Sequence, residues 1–337
     1  MASSKKSILK TSTKAASALN ELEAATTVNE VGSAYHAEDQ PQSQHQSFRQ
    51  SLGDKERERR WIRSNISMKI CCSYRENPKL KDYCMCGRRK HKEHTPEALD
   101  NLCEGKWSAD SEDCVQEMPT TAYGEIEFPN ANIAKFVRVA ADTDMDDVMC
   151  LLTKYWGLQK PNLLISVTGG AKNITMSKKL KVAFKTGLLK TAQTTGAWIL
   201  SGGNHDGVMK YVGEAVNMLQ SSSKVVAFGI APWGTVANKR ELSSAQGVWP
   251  AYYQLRDEVS KGSKNANLDP NHTHFMLVDN GTFRQFGTEI NFRGLLEKRI
   301  SQILTDADAA SATHVPVVSI VVEGGSWHSH HCQGCHR

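Results

Sequence analysis

Three apolar runs in this 337-residue chain each end in a pair of glycines. Leu163 to Val167 leads into Thr168-Gly169-Gly170-Ala171-Lys172, Ala197 to Leu200 into Ser201-Gly202-Gly203, and Val315 to Val322 into Glu323-Gly324-Gly325. A glycine lets the backbone approach a ligand with no Cβ in the way. Where such a turn opens a helix, free N–H groups and the positive end of the helix dipole suit a phosphate. The same turns also serve plainly to lead a strand into a helix. None of them is a G-x-G-x-x-G fingerprint, and the chain has no G-x-x-x-x-G-K-[ST] loop, so neither ordinary dinucleotide binding nor P-loop hydrolysis is supported.

Other groupings carry chemistry less firmly. Six of the nine cysteines fall between Cys71 and Cys114, and Cys84-x-Cys86 is followed by His91 and His94. These are zinc-ligand types, but the spacing is not a C-x2-C pair with a matching second pair. Cytosolic thiols stay reduced, so the cysteines read as unpaired, buried thiols, and no metal or cofactor is assigned. Cys332-x-x-Cys335-His336 matches a c-type haem attachment motif, yet no export signal or haem pocket accompanies it. Asp142, Asp144, Asp146 and Asp147 precede a helical pattern without the glycine and terminal glutamate of an EF-hand loop, and they read as helix caps. His205 and Asp206 sit in the second glycine turn, and no pair of convergent carboxylates is visible at the turns. No catalytic residue is assigned.

The elements that would position the turns alternate. Strand signals lie at 136–139, 162–167, 197–200, 224–230, 274–278 and 315–322; helical spacing covers 145–155, 177–194, 208–219 and 292–304. Alternation of this kind makes an α/β fold, a doubly wound Rossmann-like parallel sheet. Ligands of such sheets bind beyond the carboxyl ends of the strands, where the glycine turns fall.

Residues 1–55 are rich in Ser, Thr, Gln, Glu and Ala and read as a disordered tail. Residues 56–135 form a Cys-rich irregular segment, 136–325 the Rossmann-like domain, and 326–337 a separate tail. Hydrophobic residues make up 39% of the chain, which fits one folded core with a polar extension. The net charge of +5 is spread among acids, as in Asp54-Lys55-Glu56-Arg57-Glu58-Arg59-Arg60, rather than set in a basic stripe. Nucleic acid is therefore not expected as a partner. No run approaches the ~20 apolar residues of a membrane span, and Lys5, Lys6 and Lys10 are not followed by a signal-type apolar run. The expectation is a cytoplasmic chain with no membrane insertion of its own.

Several ordered motifs resemble one family. They are Leu163 to Asn173, Ala192 to Ile199, Gly202-Gly203 through Val216, Pro232-Trp233-Gly234-Thr235-Val236, Asn271 to Phe275, and Val278-Asp279-Asn280-Gly281-Thr282. Together they are similar to the N-terminal homology region of melastatin-type transient receptor potential cation channels, over roughly Trp61 to Gly325. The likeness is strongest to an ADP-ribose-gated member. It implies a SLOG-like fold, related to that of nucleotide phosphoribohydrolases, and a sensor of an ADP-ribose-like nucleotide rather than an enzyme. It further implies homologous channel subunits as partners, a homotetramer in the full-length family, and a place on the cytoplasmic face of the plasma membrane. Residue by residue, it implies Thr168 beside the first turn, Phe286 where a ring-stacking tyrosine stands, and Arg293 as a phosphate partner, whose permanent charge and forked donors suit that role.

After Gly325 the family continues with a Pro-Gly-Thr turn, a helix and eventually the pore, whereas this chain reads Ser326-Trp327-His328 and on to Arg337. The resemblance thus implies a truncated form, with the last phosphate-binding turn and the pore missing. Two rival readings remain open: a phosphoribohydrolase-like enzyme, and an assembly module with no ligand.

Overall fold

Strands rich in Val, Ile, Leu and Phe, alternating with helices that each carry an apolar stripe, bury every apolar face only if the sheet is parallel and covered on both sides. The computed structural model describes residues 42–101, 105–170, 174, 176–218, 225–243, 250–256, 264–305 and 313–322. The chain divides into two units, Met1–Gln50 and Ser51–Arg337, and apart from the start of the first helix the elements considered below lie in the second. Helix α1 (Gln42–Asn65) opens the described chain, so regular structure begins before residue 55, where the sequence reading ended its tail.

The Cys-rich segment contains β1 (Ser67–Cys71), β2 (Glu76–Asn77), β3 (Leu80–Cys84), the short helices α2 (Lys90–Glu93) and α3 (Pro96–Asp100), and β4 (Val115–Pro119). β1 pairs antiparallel with β4, and β2 with β3. The main domain follows as β5 (Tyr123–Glu127), β6 (Ile133–Ala140), α4 (Met145–Cys150), β7 (Leu164–Gly169), α5 (Lys178–Thr195), β8 (Trp198–Ser201), α6 (Gly207–Asn217), β9 (Val226–Pro232), α7 (Lys239–Leu242), β10 (Ala251–Tyr252), β11 (His274–Asp279), α8 (Ile290–Ser301) and β12 (Val317–Val322).

The eight-stranded sheet has the order β10-β5-β6-β11-β9-β8-β7-β12. β6, β11, β9, β8, β7 and β12 run parallel throughout. β5 reverses against β6 through a tight turn in which Phe128 N–H donates to Asn132 O, so the sheet starts ahead of residue 136, within the segment read as irregular. From β7 the chain steps through α5, β8 and α6 to β9, one strand at a time. The β6-to-β7 and β11-to-β12 crossovers travel the opposite way. Right-handed crossovers in opposite directions place α5 and α6 on one face and α4 and α8 on the other.

The packing follows. Leu188, Ala192, Val208, Val212 and Ala215 cover Ile165, Val167, Ile199 and Ala227 on one face. Val148, Leu152, Phe292, Leu296 and Ile300, with Ile62 of α1 and Ile66 just after it, cover Leu164, Trp198, Leu200 and Met276 on the other. Because side chains alternate along a strand, Ser166 of β7 shares the face of Leu164 and points to α8. Asp144 caps α4 by accepting from Asp146 N–H, and the Arg299 Nε–H donates to Asp146. One correction concerns the thiols: Cys114 is disulfide-bonded, where the sequence reading left every cysteine reduced. Bonding depends on which thiols meet in space, and spacing along the chain does not report that.

Candidate functional site

The first two glycine turns lie at the carboxyl ends of neighbouring strands, as the alternation required. Their glycines have packing reasons. A Cβ on Gly169 would stand 2.1 Å from the Val322 carbonyl oxygen, so β12 can lie against β7 only if residue 169 is glycine. Gly203 has φ +67°, and a Cβ there would stand 2.4 Å from Gly229 Cα. Several donors of these turns are already engaged: Gly170 N–H with Val322 O at 3.0 Å, His205 N–H with Asn267 O at 2.8 Å, and Gly203 N–H with Ser201 Oγ at 3.1 Å. The two turns also meet α6, whose Val208 N–H donates to Gly170 O at 3.2 Å.

Arg293 of α8 is drawn beneath both strand ends. Its Nη2 donates to Ser166 Oγ at 2.7 Å, to Val167 O at 3.2 Å and to Leu200 O at 3.3 Å. Its Nε donates to Glu297 Oε1 at 2.9 Å, one helical turn on, and Ser166 Oγ donates to the same oxygen at 2.7 Å. Both charged side chains are buried. A guanidinium so placed bridges β7, β8 and α8, and a neighbouring carboxylate offsets its charge. Among the described residues Nη1 makes no hydrogen bond.

The second turn is held by a network that the sequence reading did not find. Asp269 is fully buried and serves two imidazoles: His205 Nδ1 lies 2.8 Å from Oδ2, and His272 Nδ1 3.0 Å from Oδ1. The other nitrogen of His272 lies 2.7 Å from Ser201 Oγ. Burial pushes the Asp269 carboxyl up, but the hydrogen bonds from His205 and His272 outweigh it and leave the carboxyl below the usual range. The order Ser, His, Asp is that of a hydrolytic triad. Here, however, Ser201 is buried and its Oγ accepts the Gly203 N–H, so the chain of bonds shapes the turn. Asn204, next in that turn, has a buried Oδ1 with no partner among the described residues.

A second buried pair joins the ends of β6, β9 and β11. Arg138 Nε donates to Asp279 at 2.7 Å, its guanidinium sits 4.7 Å from the Trp233 ring centre, and Asp279 also accepts the Gly281 N–H at 2.9 Å. Nearby, Lys239 Nζ donates to Gly234 O at 2.8 Å and lies 3.9 Å from the Phe283 ring centre. Burial pushes its ammonium down to about 7.

The expected ligand residues therefore divide. Thr168, Gly169 and Gly170 at β7, Gly202 and Gly203 at β8, and Arg293 from α8 converge at adjacent strand ends. Phe286 lies in the loop leading into α8 and is 50% exposed. Ala171, Lys172, Gly324 and Gly325 fall outside the described residues. Glu289, which was not foreseen, sits at the start of α8, where burial raises its carboxyl and Oε2 has no partner among the described residues. Its signal, an acid one helical turn before Arg293, is too common to single out by eye.

Comparison with known proteins identifies the family. A family profile described as SLOG in TRPM matches residues 134–331. Transient receptor potential cation channel subfamily M member 2 of Mus musculus is 47% identical over 278 residues, covering 79% of this chain and 18% of the relative. The member-like 2 protein of Nematostella vectensis is 42% identical, covering 79% of this chain and 17% of the relative. Subfamily M member 4 of Rattus norvegicus is 34% identical, covering 80% and 23%. The chain thus spans about a fifth of the length of these relatives. Its eight-stranded α/β sheet and the extent of the match agree: the chain belongs to the SLOG family of TRPM cation channels.

Proposed function

We propose that this chain is the ligand-sensing region of a calcium-permeable TRPM-type channel, on the cytoplasmic face of the plasma membrane, and that an ADP-ribose-like nucleotide docks at the ends of β7 and β8. The observation that carries the reading is Arg293. Its guanidinium is fixed under both glycine turns through Nε and Nη2, which leaves Nη1 as a preoriented donor for a phosphate oxygen. Phe286 offers an aromatic face to a base. Sensing follows if the nucleotide binds two conformations of the assembled subunits with different affinity, since only differential binding moves an equilibrium. The pore belongs to the parts of the relatives that this chain does not span, and among the described residues no helix is long and apolar enough to cross a membrane. Homologous subunits in a homotetramer are the expected assembly.

Calorimetric titration of the purified chain with ADP-ribose tests the reading, beside Phe286→Ala, which alters an exposed ring and leaves the core intact. Saturable binding, weakened about five- to 150-fold in the variant, is the expected result for a lost stacking face worth ~1–3 kcal/mol. An absence of binding heat from a chain that is folded by circular dichroism overturns it.

A further inference from the structure

The Cys-rich segment contains a second built site. Cys71 ends β1, Cys84 ends β3, Cys86 lies in the turn that follows, and His94 comes directly after α2. One ligand atom from each lies within 4.8 Å of all the others. Cys71 Sγ and Cys84 Sγ are 3.9 Å apart, and Cys86 Sγ and His94 Nε2 are 3.4 Å apart. A tetrahedral zinc ion with Zn–S of ~2.3 Å and Zn–N of ~2.0–2.1 Å sets the S···S edge at ~3.8 Å and the S···N edge at ~3.6 Å. The protein's two edges therefore match a metal-sized tetrahedron.

The surroundings support the same reading. His94 Nδ1 lies 3.0 Å from the Arg89 carbonyl oxygen, which can only accept. Nδ1 therefore carries the proton and Nε2 turns its lone pair to the sulfurs, the outer-shell arrangement of metal-bound histidines. Arg75 N–H donates to Cys84 Sγ at 3.4 Å, which suits a thiolate. Gly87, at φ +86°, folds the Cys84–Arg88 turn back so that both of its sulfurs point inward. All three cysteines are buried. His91, the other histidine of the sequence motif, is exposed and outside the cluster, and Cys72 directs its thiol to the carbonyls of Glu112 and Asp113.

We propose that Cys71, Cys84, Cys86 and His94 form a structural Cys3His zinc site. Four protein ligands leave no open position for a substrate, and three soft thiolates with one imidazole in tetrahedral array select zinc. Its role is mechanical. Cys86 O accepts the Phe283 N–H at 2.6 Å, and Gly87 O accepts from Arg284 Nη1 at 2.8 Å. The metal thereby staples β1 and β3 onto the loop that follows β11 and leads to α8. The inference is independent of the nucleotide reading, since it concerns other residues and another measurement.

The test uses the full chain purified under reducing conditions, without chelator or metal-affinity resin. Elemental mass spectrometry should find about one zinc per chain, and X-ray absorption should show three sulfurs at ~2.3 Å and one nitrogen at ~2.0 Å. Cys84→Ser and Cys86→Ser should fall below about a tenth of that content, while Cys72→Ser and His91→Ala keep it. Should the serine variants fail to fold, cobalt substitution of the parent chain still decides, through the sulfur-to-cobalt charge-transfer band of a tetrahedral thiolate site. A folded parent chain that holds no zinc and takes up neither zinc nor cobalt overturns the proposal. Equal metal loss in Cys72→Ser, or a disulfide among Cys71, Cys84 and Cys86 in the reduced preparation, also overturns it.

Discussion

Replacing Arg293 by alanine should cost more stability than any surface arginine could account for. Arg293 is 7% exposed and its partner Glu297 is 4% exposed. Truncation leaves the Glu297 carboxylate buried with the Ser166 hydroxyl as its remaining donor, and withdraws a donor from the Val167 and Leu200 carbonyls. Breaking a buried pair by removing one partner costs ~3–5 kcal/mol, a large part of the ~5–15 kcal/mol that holds a domain folded. The double variant Arg293→Met, Glu297→Leu removes both charges and fills similar volume, so it should recover most of the loss. Urea unfolding followed by tryptophan fluorescence, with Trp198 in the same core, gives the free energies of the parent, the single variant and the double variant. An Arg293→Ala loss below ~1 kcal/mol, or a double variant no more stable than the single one, would refute the reasoning. The same arithmetic explains why the nucleotide titration relies on Phe286: an Arg293→Ala chain that fails to bind has two causes to choose between.

Gly213→Ala tests the backing of the second turn. Alanine inside a helix normally stabilises by ~0.5–1 kcal/mol, but here its Cβ would stand 1.9 Å from Asp269 Oδ1, so a loss of ~1–3 kcal/mol in thermal unfolding is expected, and a gain would contradict the packing. His274 predicts a pH dependence. Its ring lies among Trp156 and Phe228, and burial, with Lys135 nearby, pushes its pKa down to about 3. Between ~6.5 and that value the unfolded chain binds a proton that the folded chain does not, so stability falls on acidification, by ~1.4 kcal/mol per pH unit and ~2 kcal/mol at about pH 5. His274→Phe should flatten that slope in urea unfolding measured at several pH values, and an unchanged slope would show that other groups carry it.

The six parallel strands and the four longer helices between them were legible because burial on both faces leaves unbroken apolar runs, and burial on one face leaves a helical stripe. The first two glycine pairs were legible as strand-end turns for the same reason. β5 and β10 were not, because Tyr123–Glu127 is a short alternating strand and Ala251–Tyr252 has two residues, too few for a period to show. The ligand candidates came from motif order, but their surroundings did not: the resemblance implies Arg293 as a phosphate partner, and only the structure shows it buried on Ser166 and Glu297.

Cys71 lies 13 residues from Cys84 and outside any zinc spacing, and it joins Cys86 and His94 only because β1 and β3 end at the same place. Asp269 reaches His205 across 64 residues in the same way. The sequence by itself determined periodicity, turn chemistry and family, since each is written in neighbouring residues. The tertiary structure decided which charges are paired, which glycines are forced and which thiols meet, because those depend on distances between segments that the chain order does not encode.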